Sequence, residues 1–199
     1  MPLQITRNGY GQVEFQQMSA QRTGQIFASL PLDETVNVLQ NGEFMFYDKT
    51  TGKVSGQSTN ITEPYLVYNE EKLYKDFSTR KDFAMIRKGD NYVTEDNTVS
   101  DSVWTGTPTP VVQQNAGYRM IGFAPRLFKV NIGDIYTTNM VKLATYNIGD
   151  KLQPVYNATT KTMQLEATGT PAAGKITFVV LKLTDMPDGQ PALQIQRVA

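Results

Sequence analysis

The side chains that could carry general acid–base or metal chemistry here are carboxylates. No His and no Cys occurs among the 199 residues. That removes thiol nucleophiles, disulfides, Cys/His zinc sites and the commonest general base near neutral pH. An all-carboxylate metal or hydrolase site is what composition leaves open. Asp33-Glu34 follows a Pro turn, Glu70-Glu71 precedes a helix candidate, and Glu95-Asp96 sits in a long loop. Adjacent strand residues point to opposite faces, so a sequence pair does not by itself make a two-carboxylate site. Each pair reads as solvated surface. Asp185-Met186-Pro187-Asp188-Gly189 lacks the alternating oxygen ligands of a calcium loop. Asp90, Asn91, Glu95, Asp96 and Asn97 could gather oxygens, but no spacing fixes them. No Gly-rich phosphate loop joins a strand to a helix, and no seryl nucleophile elbow occurs. The expectation is a chain that is not an enzyme, with no catalytic residue, no metal and no cofactor.

Two further residue classes invite a binding role. Tyr118, Tyr136, Tyr146 and Tyr156 lie near one another in sequence and could stack on a sugar. At strand spacing such tyrosines more often fill a core or a subunit interface. Trp104, the sole Trp, reads either as a core or loop anchor or as an interface anchor. Lys plus Arg equals Asp plus Glu at 19 each. A basic excess that would neutralise phosphates is absent, so no direct nucleic-acid partner is expected. No apolar run approaches a membrane span; the most apolar, 176–183, is strand-sized and contains Thr177 and Lys182. The first residues lack the basic and apolar regions of a signal peptide.

The elements that must position these residues are strands. The tetrapeptide Asn-Ile-Gly-Asp occurs twice, at Asn131-Ile132-Gly133-Asp134 and Asn147-Ile148-Gly149-Asp150. Gly adopts a positive φ without steric cost, and Asn and Asp close turns through local hydrogen bonds. Each copy therefore reads as a corner between strands, with Asp134 and Asp150 bonded to amides of their own turns. Lys88-Gly89-Asp90-Asn91-Tyr92-Val93 is a weaker third copy. Asn41-Gly42 is a strong hairpin signal between 36–39 and 43–48, within a meander from 26 to about 54. Lys49-Thr50-Thr51-Gly52-Lys53 and Met186-Pro187-Asp188-Gly189-Gln190-Pro191 are further turns. Leu193, Ile195 and Arg197 alternate with Gln194, Gln196 and Val198 on opposite faces of a last strand. Residues 70–87 fit a helix and an irregular hairpin equally, with Phe83-Ala84-Met85-Ile86 reading as a buried strand.

Short strands bounded by Gly and Pro turns predict a mainly β protein. The expected organisation is a small β-barrel or sandwich body with an extended N-terminal arm (1–25) and a long middle loop. The arm leads into a β-rich region with a meander (26–124), packed with a barrel-like C-terminal region (125–199). The Gln- and Gly-rich start reads either as a frayed terminus or as a segment that orders only against a partner.

Several segments together resemble capsid decoration, or cement, proteins of tailed bacteriophage heads. They are Asn8-Gly9-Tyr10-Gly11, Thr23-Gly24-Gln25-Ile26, the run from Asn41 to Asp48, Lys81-Asp82-Phe83-Ala84, the run from Pro125 to Asn139, and Met186 to Ala192. The similarity spans most of the chain and rests on turn and strand patterns. It implies a virion structural protein on the outside of the head that stabilises the capsid by bridging neighbouring capsomers. The implied partners are the major capsid protein and other copies of the chain, a trimer being one arrangement. Assembly would occur in the host cytoplasm. On this reading Leu3, Ile5, Tyr10, Val13, Phe15, Ile26, Phe27 and Trp104 would be interface anchors. Gly42, Gly133, Asp134, Gly149, Asp150 and Gly189 would be structural turns. The alternative is a receptor- or glycan-binding β module of a virion fibre.

Overall fold

The computed structural model describes residues 2–7, 9–69, 85–87, 91–95, 118–122 and 124–199. Glu70-Glu71, most of the helix-or-hairpin stretch, the Lys88-Gly89-Asp90 part of the third Gly-Asp copy, most of the middle loop and Trp104 lie outside the described residues.

In chain order the strands begin with β1 (Leu3–Gln4) and β2 (Val13–Gln17), then one helical turn, α1 (Ala20–Thr23). There follow β3 (Ile26–Phe27), β4 (Val38–Gln40), β5 (Phe44–Asp48), β6 (Lys53–Ser55), β7 (Tyr65–Val67), β8 (Met85–Arg87), β9 (Asn91–Glu95) and β10 (Tyr118–Gly122). The last third gives β11 (Leu127–Phe128), β12 (Ile135–Thr138), β13 (Thr145–Tyr146), β14 (Lys151–Asn157), β15 (Thr162–Ala167), β16 (Phe178–Asp185) and β17 (Pro191–Arg197).

One large sheet runs β2-β12-β17-β16-β14-β15-β5-β7-β11-β3, with β6 paired to β5. Its described neighbours pair antiparallel. The two end strands, β2 and β3, are joined by α1 and Gly24, whose φ of 67° ends the helical turn. Phe15 on β2 reaches over to Tyr68 and Phe128, with ring centroids 4.5 and 5.2 Å away. The sheet thus curls into a half-barrel, and the protein is mainly β as its sequence predicts.

Strand β5 shows why the sheet has two cores. Its residues alternate between faces. Phe44 and Phe46 enter a large cluster with Leu66, Phe128, Tyr136 and Phe178. Met45 and Tyr47 enter a second cluster with Val36, Leu39 and Val67. A strand covered on both faces needs a continuous apolar run, and Phe44-Met45-Phe46-Tyr47 is one. Strand β17 has one covered face: Leu193 and Ile195 are buried, while Gln194 and Gln196 are half-buried, as the alternation predicts.

Two expectations are corrected. Asn41-Gly42 does not make a hairpin. Gly42 has φ 91° and the Glu43 amide bonds the Gln40 carbonyl, a type II turn. Type II geometry splays the flanking strands, so β4 leaves to pair with β8 while β5 joins the large sheet. The hairpin of this region is β5–β6, across Gly52. The 26–54 meander is therefore not formed as one unit.

The second correction concerns the N-terminal segment. It is extended, apart from α1, but it does not await a partner. Strand β1 pairs with β13 and β2 with β12, more than a hundred residues away. Residues before 26, between 26 and 124, and beyond 124 all contribute strands to one sheet.

Candidate interaction surface

The anchors expected from sequence are largely consumed by the fold. Ile5 is fully buried and Val13 nearly so, both in the large cluster. Leu3, Phe15 and Ile26 pack against that cluster, and Phe27 against the second, its ring tilted against Tyr47 and edge-on to Tyr65. Ile5 and Val13 are thus corrected from partner contacts to core residues, because the β1–β13 and β2–β12 pairings fold their side chains inward. Tyr10 is half-exposed; its carbonyl accepts a bond from Asn139. A sugar platform loses two of its candidate rings, since Tyr136 and Tyr146 are fully buried.

The carboxylates serve turns. Asp33 binds the Thr35 amide at 2.9 Å and its hydroxyl at 2.7 Å, and those bonds, the hydroxyl's first, hold its carboxyl below the usual range. Its neighbour Glu34 faces Lys53 at 3.6 Å across solvent. Asp188 accepts bonds from Gln190 and from Gln12, tying the final hairpin to the N-terminal segment. Among the described residues no three acidic side chains converge as a metal site.

The surface of interest grows from the two Asn-Ile-Gly-Asp corners. Gly133 has φ 93° and Gly149 φ 92°. The Asp134 amide bonds the Asn131 carbonyl at 3.0 Å, and Asp150 bonds Asn147 at 3.2 Å. Each aspartate also accepts its own turn's Asn amide, at 2.7 and 2.8 Å. Both are therefore type II turns with Gly at the positive-φ position, as the sequence predicts.

Their docking is also matched. The Gly133 amide bonds the Arg197 carbonyl at 2.9 Å, and the Arg197 amide returns to Asp134 at 3.0 Å. In the second copy Gly149 bonds Val180 at 2.8 Å, and Val180 returns to Asp150 at 2.9 Å. The strands that follow, β12 and β14, flank the β16–β17 hairpin on opposite sides and run in opposite directions. In register, Ile135 faces Gln196, Gln196 faces Val179, and Val179 faces Lys151. A local two-fold axis passes between Gln196 and Val179. It relates Ile135 to Lys151 across three strand spacings, roughly 14 Å.

This symmetry carries exposed aliphatic side chains with it. Ile132 and Ile148, at the turn tips, are 70% and 66% exposed. Val198, after Arg197, and Leu181, after Val180, are exposed too, at 44% and 36%. Each corner thus presents one isoleucine and one further aliphatic at two-fold-equivalent positions. Scattered single aliphatics on a surface are ordinary, and Leu143 and Val155 are exposed as well, at 56% and 42%; what sets the four apart is the two-fold that relates them. The sequence reading used the two isoleucines only as parts of turns. Their signal was the duplicated tetrapeptide, with an apolar residue at a turn position open to any type. The chain matches no protein-family model, and no curated protein or solved structure is significantly similar to it.

Proposed function

We propose that this chain is a virion structural protein that binds the outside of a phage head and bridges neighbouring capsomers, with the major capsid protein as partner. The observation that supports it best is the twinned aliphatic surface: Ile132 with Val198, and Ile148 with Leu181. A bridging protein needs two contacts able to engage equivalent surfaces, and a local two-fold supplies such a pair on one chain. Each contact can be weak, because simultaneous engagement multiplies their effect. The folded N-terminal segment shifts this role from the arm to the body.

The test uses the full chain and empty heads that lack it. Ile132→Asp and Ile148→Asp are made singly and together, and co-sedimentation gives the binding isotherm. Each single change should weaken binding by about tenfold, an ordinary loss for one aliphatic contact. The double variant should lose binding altogether with its circular dichroism unchanged. Undiminished binding by the folded double variant rejects this surface. Absence of binding by the wild-type chain rejects the capsid role.

A further inference from the structure

Glu43 is buried, with only 3% of its surface accessible. It sits where the Asn41-Gly42 corner, β5, β7 and β15 meet. One carboxylate oxygen accepts the Gln40 amide at 2.8 Å, and the other accepts the Thr162 hydroxyl at 2.7 Å. Its carbonyl accepts the Val67 amide at 2.8 Å. Among the described residues the charged side chain acting on it is Arg7, from the segment after β1, whose guanidinium is engaged with the carbonyls of Asn139 and Val141. From β7 and β15 the described groups that bond it are neutral, Val67 and Thr162.

The hydrogen bonds do not stop at Thr162. Its hydroxyl lies 2.8 Å from that of Thr160, and Thr160 is exposed whereas Thr162 is fully buried. Carboxylate, buried hydroxyl and surface hydroxyl form a chain that either end can drive. With Glu43 ionised, Thr160 donates to Thr162 and Thr162 donates to Glu43. With Glu43 protonated, Glu43 donates to Thr162 and Thr162 to Thr160. Every bond is kept in both states, because a hydroxyl donates and accepts.

The turn that aligns the two threonines is itself unusual. Lys161, between them, has φ 62°, the one positive value among described non-Gly residues. Its amide bonds Asn157 at 2.8 Å, and Gly56 lies so close to its carbonyl that a Cβ there would overlap it. Left-handed backbone at a residue with a side chain persists where the surroundings over-determine it.

We propose that Glu43 exchanges its proton in the folded protein through the Thr162–Thr160 hydroxyl chain, and that its ionisation, by setting a charge in a site only 3% exposed, costs folding stability without breaking a hydrogen bond. Burial first, opposed by the Gln40 and Thr162 bonds and by Arg7, pushes the Glu43 carboxyl up to about 7 from an ordinary 4.5. The folded state therefore holds the proton more tightly than the unfolded chain. The stabilisation is complete below pH 4.5 and is lost as pH rises through about 7. From well below pH 4.5 to well above 7 the linked folding constant falls by roughly two orders of magnitude.

Two measurements test this on the full chain. Urea unfolding between pH 4.5 and 8 should show a loss of stability in the wild type that Glu43→Gln lacks. Parallel profiles in the two proteins overturn the proposal. Carbon-13 titration of the wild-type Glu43 carboxyl should give a midpoint near 7, and this decides the matter where Glu43→Gln fails to fold. A midpoint near 4.5 overturns it. Thr162→Val, which removes a donor to the ionised form, should move that midpoint upward; an unmoved midpoint overturns the hydroxyl chain.

Discussion

The corners at 131–134 and 147–150 share four residues, one turn type and one mode of docking on the β16–β17 hairpin, yet their aspartates live in different surroundings. Asp134 is buried. Besides the Asn131 amide it accepts the Ser19 amide at 3.0 Å and the Ser19 hydroxyl at 3.1 Å. Asn131 adds bonds from its side chain to Ser19 at 2.7 Å and to Gln25 at 2.8 Å. The first corner is thus a hub that seats α1 and the entry to β3. Asp150 is half-exposed, and the side-chain bond described for it is the one to the Asn147 amide. The second corner closes its turn and docks on Val180, with no further side-chain bond among the described residues.

The difference separates a local effect from a tertiary one. Both glycines hold the same φ because the turn requires it, and nothing lies within 4 Å of a Cβ at either. The strain of a side chain there is a property of the tetrapeptide. What each aspartate contributes depends on whether another part of the chain covers it. At 131–134 the link from β2 to β3 does so; 147–150 carries no comparable network.

Substitutions can break or sharpen this contrast, and urea unfolding reads each of them. Gly42→Ala should cost most, about 3–4 kcal/mol, because left-handed strain is joined by overpacking. Gly42 shares the φ of the two corners, at 91°, but its Cβ would lie 2.5 Å from the Met140 Cβ. Asp134→Ala should cost about 2–3 kcal/mol, since three half-buried donors from Ser19 and Asn131 lose a charged acceptor. Gly133→Ala and Gly149→Ala should each cost roughly 1–2 kcal/mol and agree with one another, because only φ strain operates. A large inequality between them would show that the corners differ in more than their aspartates. Asp150→Ala should cost about 0.5–1 kcal/mol, one turn hydrogen bond. If it equals Asp134→Ala, burial is not what distinguishes the two copies.

Tyr136→Phe should give the smallest change, near zero or a gain of up to about 1 kcal/mol. This residue follows the first corner, and its hydroxyl is buried with no hydrogen-bond partner among the described residues. Removing an unsatisfied polar atom removes its desolvation cost. A clear loss would mean that the hydroxyl has a partner.

Much of the local structure was legible. The turns at Gly42, Gly133, Gly149 and Gly189 all carry positive φ, from 81° to 93°. The final hairpin forms where Pro187-Asp188-Gly189 punctuates two strands, and β17 buries the face its alternation predicts. The strand pairings were less legible. Asn41-Gly42 looked like a hairpin because the dipeptide permits several turn types. The choice between them was made by Met140 and Thr138 crowding Gly42 and by β5 having better partners elsewhere. The N-terminal segment looked free because its apolar residues are sparse, and its pairing partners lie more than a hundred positions on. Glu43 gave no signal at all, being a polar residue beside a turn.

The sequence by itself determined where the chain turns, because φ at a glycine and a carboxylate's reach to an amide three residues back are local matters. It also determined that the protein is mainly β, since period-two alternation needs no long-range knowledge. The tertiary structure decided which strands are neighbours and which of two identical tetrapeptides has its aspartate buried. It also decided that Ile132 and Ile148 at the turn tips stay exposed while Ile5 and Val13 of the N-terminal segment are buried. Burial is settled by what packs on top, and that partner is specified by shape and pairing across the whole chain.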